Sequence, residues 1–173
     1  MNTKRPDLLT HTMKFGLIMG ALFSVNFLLS TWGSKVGNAL SYVVIGAIGY
    51  YTYHFTTLFR DQECEGVISY GRGLAYVLLL YFFGGLISSV VKYVFVSWIN
   101  PEFLPNLLNQ SLLILENMNL PNTNTEMSME MLEKMLSPVV YATQTLWTNL
   151  FIGLLVGLIV AAFTKKEKNL FEE

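Results

Sequence analysis

The chain has 173 residues, of which 53% are hydrophobic and 13% charged, and its mean hydropathy is +0.45. Soluble domains carry about 25% charged residues, so this composition excludes an ordinary soluble domain and predicts a membrane protein. The net charge of -1 leaves no basic surplus for the phosphates of nucleic acid, so no nucleic-acid partner is expected.

Runs almost free of charged residues predict four membrane-spanning helices, at about residues 13–32, 39–59, 74–99 and 139–163. About 20 helical residues cross the apolar core of a bilayer, which is roughly 30 Å thick. The third run carries one lysine, Lys92. The first run is longer than the apolar part of a secretory signal peptide, and no Ala-x-Ala-like cleavage site follows it. We therefore interpret it as an uncleaved span.

Small residues recur at helical spacing in the first and the fourth predicted spans. Small side chains on one helix face allow a neighbouring helix to approach closely. The sequence therefore predicts helix-packing faces at Gly16, Gly20, Gly153, Gly157 and Ala161.

Residues 100–138, between the third and fourth spans, predict two amphipathic helices, at residues 102–117 and 126–136. In the first, one face consists of leucines and asparagines occupy much of the other; the leucines are Leu104, Leu107, Leu108, Leu112 and Leu115. The segment also holds five of the eight methionines: Met118, Met127, Met129, Met131 and Met135. Thioethers can bind Cu(I), but no Cys or His lies nearby in the segment. An adaptable contact surface is therefore the better interpretation.

Lysine and arginine are unevenly distributed between the two predicted sides of the membrane. Cytoplasmic flanks carry the excess of these residues. Lys35 and Lys134 fall on one side, whereas the other has eight: Lys4, Arg5, Lys14, Arg60, Arg72, Lys165, Lys166 and Lys168. We expect both termini to be cytoplasmic and residues 100–138 to be extracytoplasmic. The predicted fold is thus all-α, a four-helix transmembrane bundle with an extracytoplasmic amphipathic helical hairpin between helices 3 and 4.

Lys92 is a formal charge in the interior of a predicted span, and it permits two interpretations. It lies seven residues before Ile99, or roughly 10 Å inside the outer boundary at 1.5 Å per residue, so its stem can snorkel toward the headgroups. Alternatively, it shares a small, polar face with Gly85 and Ser88 and points into the bundle. There it would bind an anionic group such as a lipid phosphate, in a pocket completed by Asn26, Gln144, Thr148 and Asn149.

The chain lacks the motifs that would indicate catalysis or metal binding. Cys64 is the single cysteine, and the two histidines, His11 and His54, lie far apart in sequence. There is no His-Glu-x-x-His, no Gly-x-Ser-x-Gly and no pair of carboxylates within the spans. We therefore expect no metal, no cofactor and no enzymatic activity.

Three local patterns resemble a known family. The first is residues 66–73, which lead into the third span and end in Gly71-Arg72-Gly73. The second is residues 100–104, where the chain leaves that span. The third is a Met- and Glu-rich helix that ends in Ser137-Pro138. The chain resembles domain of unknown function family 4199, which comprises small four-span inner-membrane proteins found mainly in Bacteroidota-type bacteria. The resemblance covers nearly the whole chain and implies a multi-pass protein of the bacterial inner (cytoplasmic) membrane. It transfers no site residue, because the family has no assigned activity.

Two functions fit these patterns. The first is a non-enzymatic accessory or interaction module, whose hairpin and small-residue faces dock a membrane-protein partner or a second copy of the chain. The alternative is a lipid- or anion-binding carrier with a polar pocket around Lys92 in the outer half of the bundle. Membrane lipid is an expected contact in both cases.

Overall fold

A computed structural model describes residues 7–117 and 125–166, with the side chains of 115–117 and 125–129 left undescribed. The described part is helical and contains no β-strand. Its helices are α1 (Leu8–Thr31), α2 (Lys35–Glu63), α3 (Tyr70–Val94), α4 (Phe103–Asn117), α5 (Thr125–Met135) and α6 (Pro138–Thr164), and α3 continues into a π-helical turn at Phe95–Ile99.

Among the described residues, three helical segments are long and apolar enough to cross a membrane: Leu8–Thr31, Tyr70–Ile99 and Pro138–Thr164. They cover the first, third and fourth predicted spans. The second predicted span, residues 39–59, lies inside α2. That helix has 29 residues, but its tyrosines, threonines and glycines make it less apolar than the other three.

The helices extend beyond the apolar runs that predicted them because polar residues cap their ends. Asp7 precedes α1, and its carboxylate accepts hydrogen bonds from the Thr10 amide at 3.2 Å and the Thr10 hydroxyl at 2.6 Å. Ser34 caps α2 by accepting a bond from the Gly37 amide at 2.9 Å. Between α1 and α2, Gly33 takes a positive φ of 67°, which costs glycine little because it has no Cβ.

Contacts divide the chain into two units, and the first comprises residues up to Ser88 together with those from Leu146 onward. Its core is built from large apolar side chains of α1, α2, α3 and α6. Aromatic rings dominate it, and the fully buried Phe59 and Tyr76 stack with ring centroids 4.7 Å apart. The core residues are Met19, Phe23, Phe55, Phe59, Ile68, Tyr76, Val77, Leu80, Tyr81 and Val160.

Small residues lie where α1 and α6 approach α3 most closely. A Cβ added to Gly16 would lie 2.6 Å from the Cβ of Phe83, and one added to Gly20 would lie 2.6 Å from the Cβ of Ile87. On α6, a Cβ at Gly153 would lie 2.6 Å from the Cβ of Tyr81. Such distances leave no room for a larger residue without displacing a neighbour.

The same pattern continues toward the end of α6. A Cβ at Gly157 would lie 2.9 Å from the Cδ1 of Leu74, and Ala161 is fully buried with its Cβ facing Gly73. All five predicted packing residues therefore lie against α3.

The end of α6 is joined to the connection between α2 and α3. Ile68 and Lys166 exchange two backbone hydrogen bonds of 3.0 and 3.1 Å as an isolated antiparallel bridge. Arg60 donates from a guanidinium nitrogen to the Thr164 carbonyl at 3.3 Å, where the helix leaves its last carbonyls without partners. The same guanidinium binds Asp61 at 2.7 Å and lowers the pKa of that carboxyl.

The second unit comprises residues 89–145. In the π-helical turn the Asn100 amide donates to the Phe95 carbonyl at 2.8 Å. The ring of Phe103, at the start of α4, contacts the rings of Phe95 and Tyr141 in edge-to-face geometry, with centroids 5.9 and 6.1 Å away. These contacts hold the start of α4 against the π-helical turn and the start of α6.

Helix α4 presents its two sides differently. Leu104 is buried and Leu107 and Leu108 are half-buried, whereas Asn106 and Asn109 are exposed. In α5, Leu132 is half-buried. Two methionines of the expected contact surface, Met131 and Met135, are exposed, Met118 lies outside the described residues, and the side chains of Met127 and Met129 are not described.

Candidate functional site

The five residues of the predicted binding pocket belong to different units. Lys92 and Gln144 are in the second unit, and Asn26, Thr148 and Asn149 are in the first. The side chains of Gln144 and Thr148 are exposed, and those of the other three are half-buried.

Lys92 is held within the second unit by an aromatic ring. Its ammonium Nζ lies 5.9 Å from the centroid of the Tyr141 ring. A cation within about 6 Å of a ring face is attracted by the electrons of that face. Tyr141 is absent from the predicted pocket, although its position three residues before Gln144 places it on the same side of α6. The arrangement stabilises the positive charge of Lys92.

In the first unit, Asn149 packs against a glycine of α3. A Cβ on Gly85 would lie 3.2 Å from the Cβ of Asn149 and 3.5 Å from its Nδ2, so a larger residue at position 85 would crowd the asparagine. The Oδ1 of Asn26 is buried and has no hydrogen-bond partner among the described residues. In the second unit, the Oγ atoms of Ser89 and Ser97 are also buried without a hydrogen-bond partner among the described residues.

An apolar groove of about 500 Å³ lies in the second unit. That volume falls within the range of roughly 300–1,000 Å³ that is typical of small-molecule sites. The walls come from the π-helical turn, α4, the end of α5 and the start of α6, and the lining residues are Val96, Pro101, Leu104, Pro105, Leu108, Glu133, Leu136, Ser137 and Pro138. The sequence predicted apolar helix faces here but no groove, because a groove depends on how those faces meet.

A second, more polar cavity of about 270 Å³ lies in the first unit, between the start of α1 and the end of α2. Its lining includes His11, Lys14 and Glu63. The Nδ1 of His11 is 2.9 Å from the hydroxyl oxygen of Tyr76, and its ring packs 4.5 Å from Phe15 and 5.2 Å from Phe59. The sequence did not indicate this cluster, because His11 precedes the apolar run and its partner is 65 residues away.

Metal ligands do not gather in the part of the chain that the structure describes. Over residues 7–117 and 125–166, no group of three His, Cys, Asp or Glu side chains is placed to hold an ion. Cys64 is half-buried after α2, and burial raises the pKa of its thiol. A raised pKa reduces the thiolate fraction at neutral pH, and the thiolate is the reactive form.

The fold and these sites define an all-helical protein with apolar helices suited to a membrane. A family model described as protein of unknown function (DUF4199) matches residues 14–166. The chain therefore belongs to that family, as its sequence patterns indicated. No curated protein and no solved structure matches the chain.

Proposed function

We propose that this protein is a non-enzymatic membrane module that docks a transmembrane helix of a partner protein against α2. In this proposal α2 also crosses the membrane, as the second of four spans in chain order. Its 29 residues give a length of roughly 43 Å at 1.5 Å per residue, enough for a bilayer core of roughly 30 Å. The observation that carries the proposal is the uncovered face of this helix.

That face is a stripe at helical spacing, which we call the α2 stripe: Tyr42, Gly46, Gly49 and Tyr53. Tyr42 is 73% exposed and Tyr53 is 44% exposed. A Cβ added to Gly46 or Gly49 would meet no atom within 4 Å. The packed side of α2, next to this stripe around the helix, is buried through Ser41, Thr52, Phe55, Thr56 and Phe59. The stripe is therefore part of the side left open once α2 is packed, beside exposed apolar residues such as Val43.

Lipid is a poor cover for such a face. Tyrosine hydroxyls and the bare backbone at glycine gain little from acyl chains, whereas a second helix can approach glycine closely and pack against its backbone. Elsewhere in this chain the small residues of α1 and α6 are already used in that way against α3. Gly46 and Gly49 are small residues of the same kind, and no helix of the described ranges covers them, which supports an occupant from another chain.

The proposal is tested by purification in mild detergent of the wild type and two variants. Gly46→Leu should fold normally, because its side chain enters open space, and should reduce the co-purifying membrane protein at least about fivefold. Gly71→Leu is the matched control, since Gly71 also has no atom within 4 Å of an added Cβ but lies on α3. If Gly46→Leu retains the partner, or if Gly71→Leu loses it equally, the α2 stripe is not the docking face.

We further propose a bacterial inner-membrane location with both termini in the cytoplasm. The support is the uneven distribution of lysine and arginine. Three of those residues, Lys4, Arg5 and Lys168, lie outside the described residues.

A further inference from the structure

The groove of the second unit lies where two apolar helices end. Val96 is three residues before the end of the segment Tyr70–Ile99, and Pro138 is the first residue of the segment Pro138–Thr164. At 1.5 Å per residue Val96 is only about 5 Å from that end. Both segments are long and apolar enough to cross a membrane. A bilayer crossed by these two segments would end close to the groove, which puts the groove within reach of lipid.

The chemistry of the lining is that of an amphipathic ligand site. Leu104 is buried in its wall, and Leu108 and Leu136 are half-buried beside it. Among the lining residues, Glu133 carries a negatively charged carboxylate. Glu130, one turn earlier on α5, pairs with Lys134 at 3.6 Å, whereas Glu133 forms no ion pair with any residue of the described ranges. The groove therefore combines an apolar channel with one anionic group.

We propose that the groove binds one acyl chain of a membrane phospholipid whose headgroup carries a primary ammonium, with Glu133 facing that ammonium. An apolar tail matches the leucines and prolines of the wall, and a positive headgroup matches the carboxylate. This site is separate from the α2 stripe and does not depend on a protein partner.

The test is native mass spectrometry of the full chain in mild detergent with equal amounts of dioleoyl phosphatidylethanolamine and dioleoyl phosphatidylglycerol. The tails are identical, so the ratio of the two single-lipid adducts reports the headgroup. We expect the wild type to retain the ethanolamine lipid about threefold to fivefold better, the range of a partly exposed ion pair. Glu133→Gln should bring that ratio to about one.

Two further variants make the assignment specific. Glu130→Gln is the matched control, since it removes a carboxylate of the same helix that does not line the groove, and it should keep the preference. Leu108→Trp should fill the groove and reduce retention of both lipids, with thermal unfolding confirming that it remains folded. The proposal is overturned if the wild type shows no preference, if Glu130→Gln acts like Glu133→Gln, or if folded Leu108→Trp retains both lipids unchanged.

Discussion

His11 shows how a polar side chain is accommodated among apolar helices. Its Nδ1 is hydrogen-bonded to Tyr76, and aromatic rings of α1 and α2 pack around the imidazole. The other ring nitrogen, Nε2, is buried without a partner in the described part of the chain. A buried polar group without its bond costs about 1–3 kcal/mol, so the bond to Tyr76 matters to stability.

We therefore expect Tyr76→Phe to lower the free energy of unfolding by about 1–3 kcal/mol, because it leaves the Nδ1 of His11 unpaired. Tyr81→Phe is the control. Tyr81 is equally buried, and its hydroxyl is 3.2 Å from that of Thr52, but Thr52 keeps its bond of 2.7 Å to the Ile48 carbonyl. Chemical or thermal unfolding in detergent would measure both. If Tyr81→Phe lowers the free energy of unfolding as much as Tyr76→Phe or more, the hydrogen bond to His11 does not account for the effect of Tyr76→Phe.

The sequence identified some residues of the candidate site but not their partners in space. Lys92 was identifiable because a charge within an apolar run is conspicuous. Its aromatic neighbour Tyr141 was not, because one tyrosine among nine carries no sign of which lysine it will face. Long-range pairs of this kind depend on helix rotation, which local spacing leaves undetermined.

At the scale of the helix, some glycines of this chain lie in close contacts between helices and others lie on an open helix face, and the sequence does not distinguish the two. Gly20 sits under Ile87, where an added Cβ would also lie 3.0 Å from the Gly84 carbonyl oxygen, whereas Gly46 has open space around it. The first glycine packs against another helix of this chain, whereas the second leaves an open helix face.

Alanine substitution separates these uses. Gly20→Ala should lower the free energy of unfolding by about 1–3 kcal/mol, because the added methyl group forces α1 and α3 apart. Gly46→Ala should leave stability unchanged or raise it by up to about 1 kcal/mol, since alanine favours the helix. Unfolding of the two variants beside the wild type measures the difference. A destabilised Gly46→Ala would mean that the α2 stripe is already covered.

The sequence predicted the small-residue faces of the first and fourth spans but not which helix covers them. Spacing gives the face of one helix, and α3 meets α1 and α6 there through large residues such as Phe83, Ile87 and Tyr81. For α2 the outcome is different. Its charge-free run predicted a span, yet its polar residues make α2 less apolar than the three segments that are apolar enough to cross a membrane.

At the scale of the whole molecule, the helical class and the family were predictable because apolar runs and local motifs extend along nearly the entire chain. The structure of residues 100–138 was harder to predict. The structure places α4 and α5 within one residue of the expected ranges at their described ends, but the groove between them was not predicted. Grooves arise from the packing of several segments, and no single run of the sequence encodes them.

The proposed orientation is tested by thiol labelling of intact cells. A membrane-impermeant maleimide should miss Cys64 and label Asn109→Cys, a replacement at an exposed position of α4. Because burial raises the pKa of Cys64, labelling should be run above neutral pH, where the thiolate fraction is larger, with permeabilised cells as the positive control. Labelling of Cys64 in intact cells would reverse the topology.

The docking of a partner helix on α2 is tested most directly by a photo-crosslinking residue placed in the living membrane. Benzoylphenylalanine replacing Tyr42 should form a covalent adduct with a second polypeptide, either another membrane protein or a second copy, identified by its peptides. The control is the same residue replacing Leu17, which is 64% exposed on α1, an apolar segment suited to lipid. We expect a discrete protein adduct from position 42 and none from position 17. Lipid adducts alone at position 42, or the same protein adduct from both positions, would contradict the docking proposal.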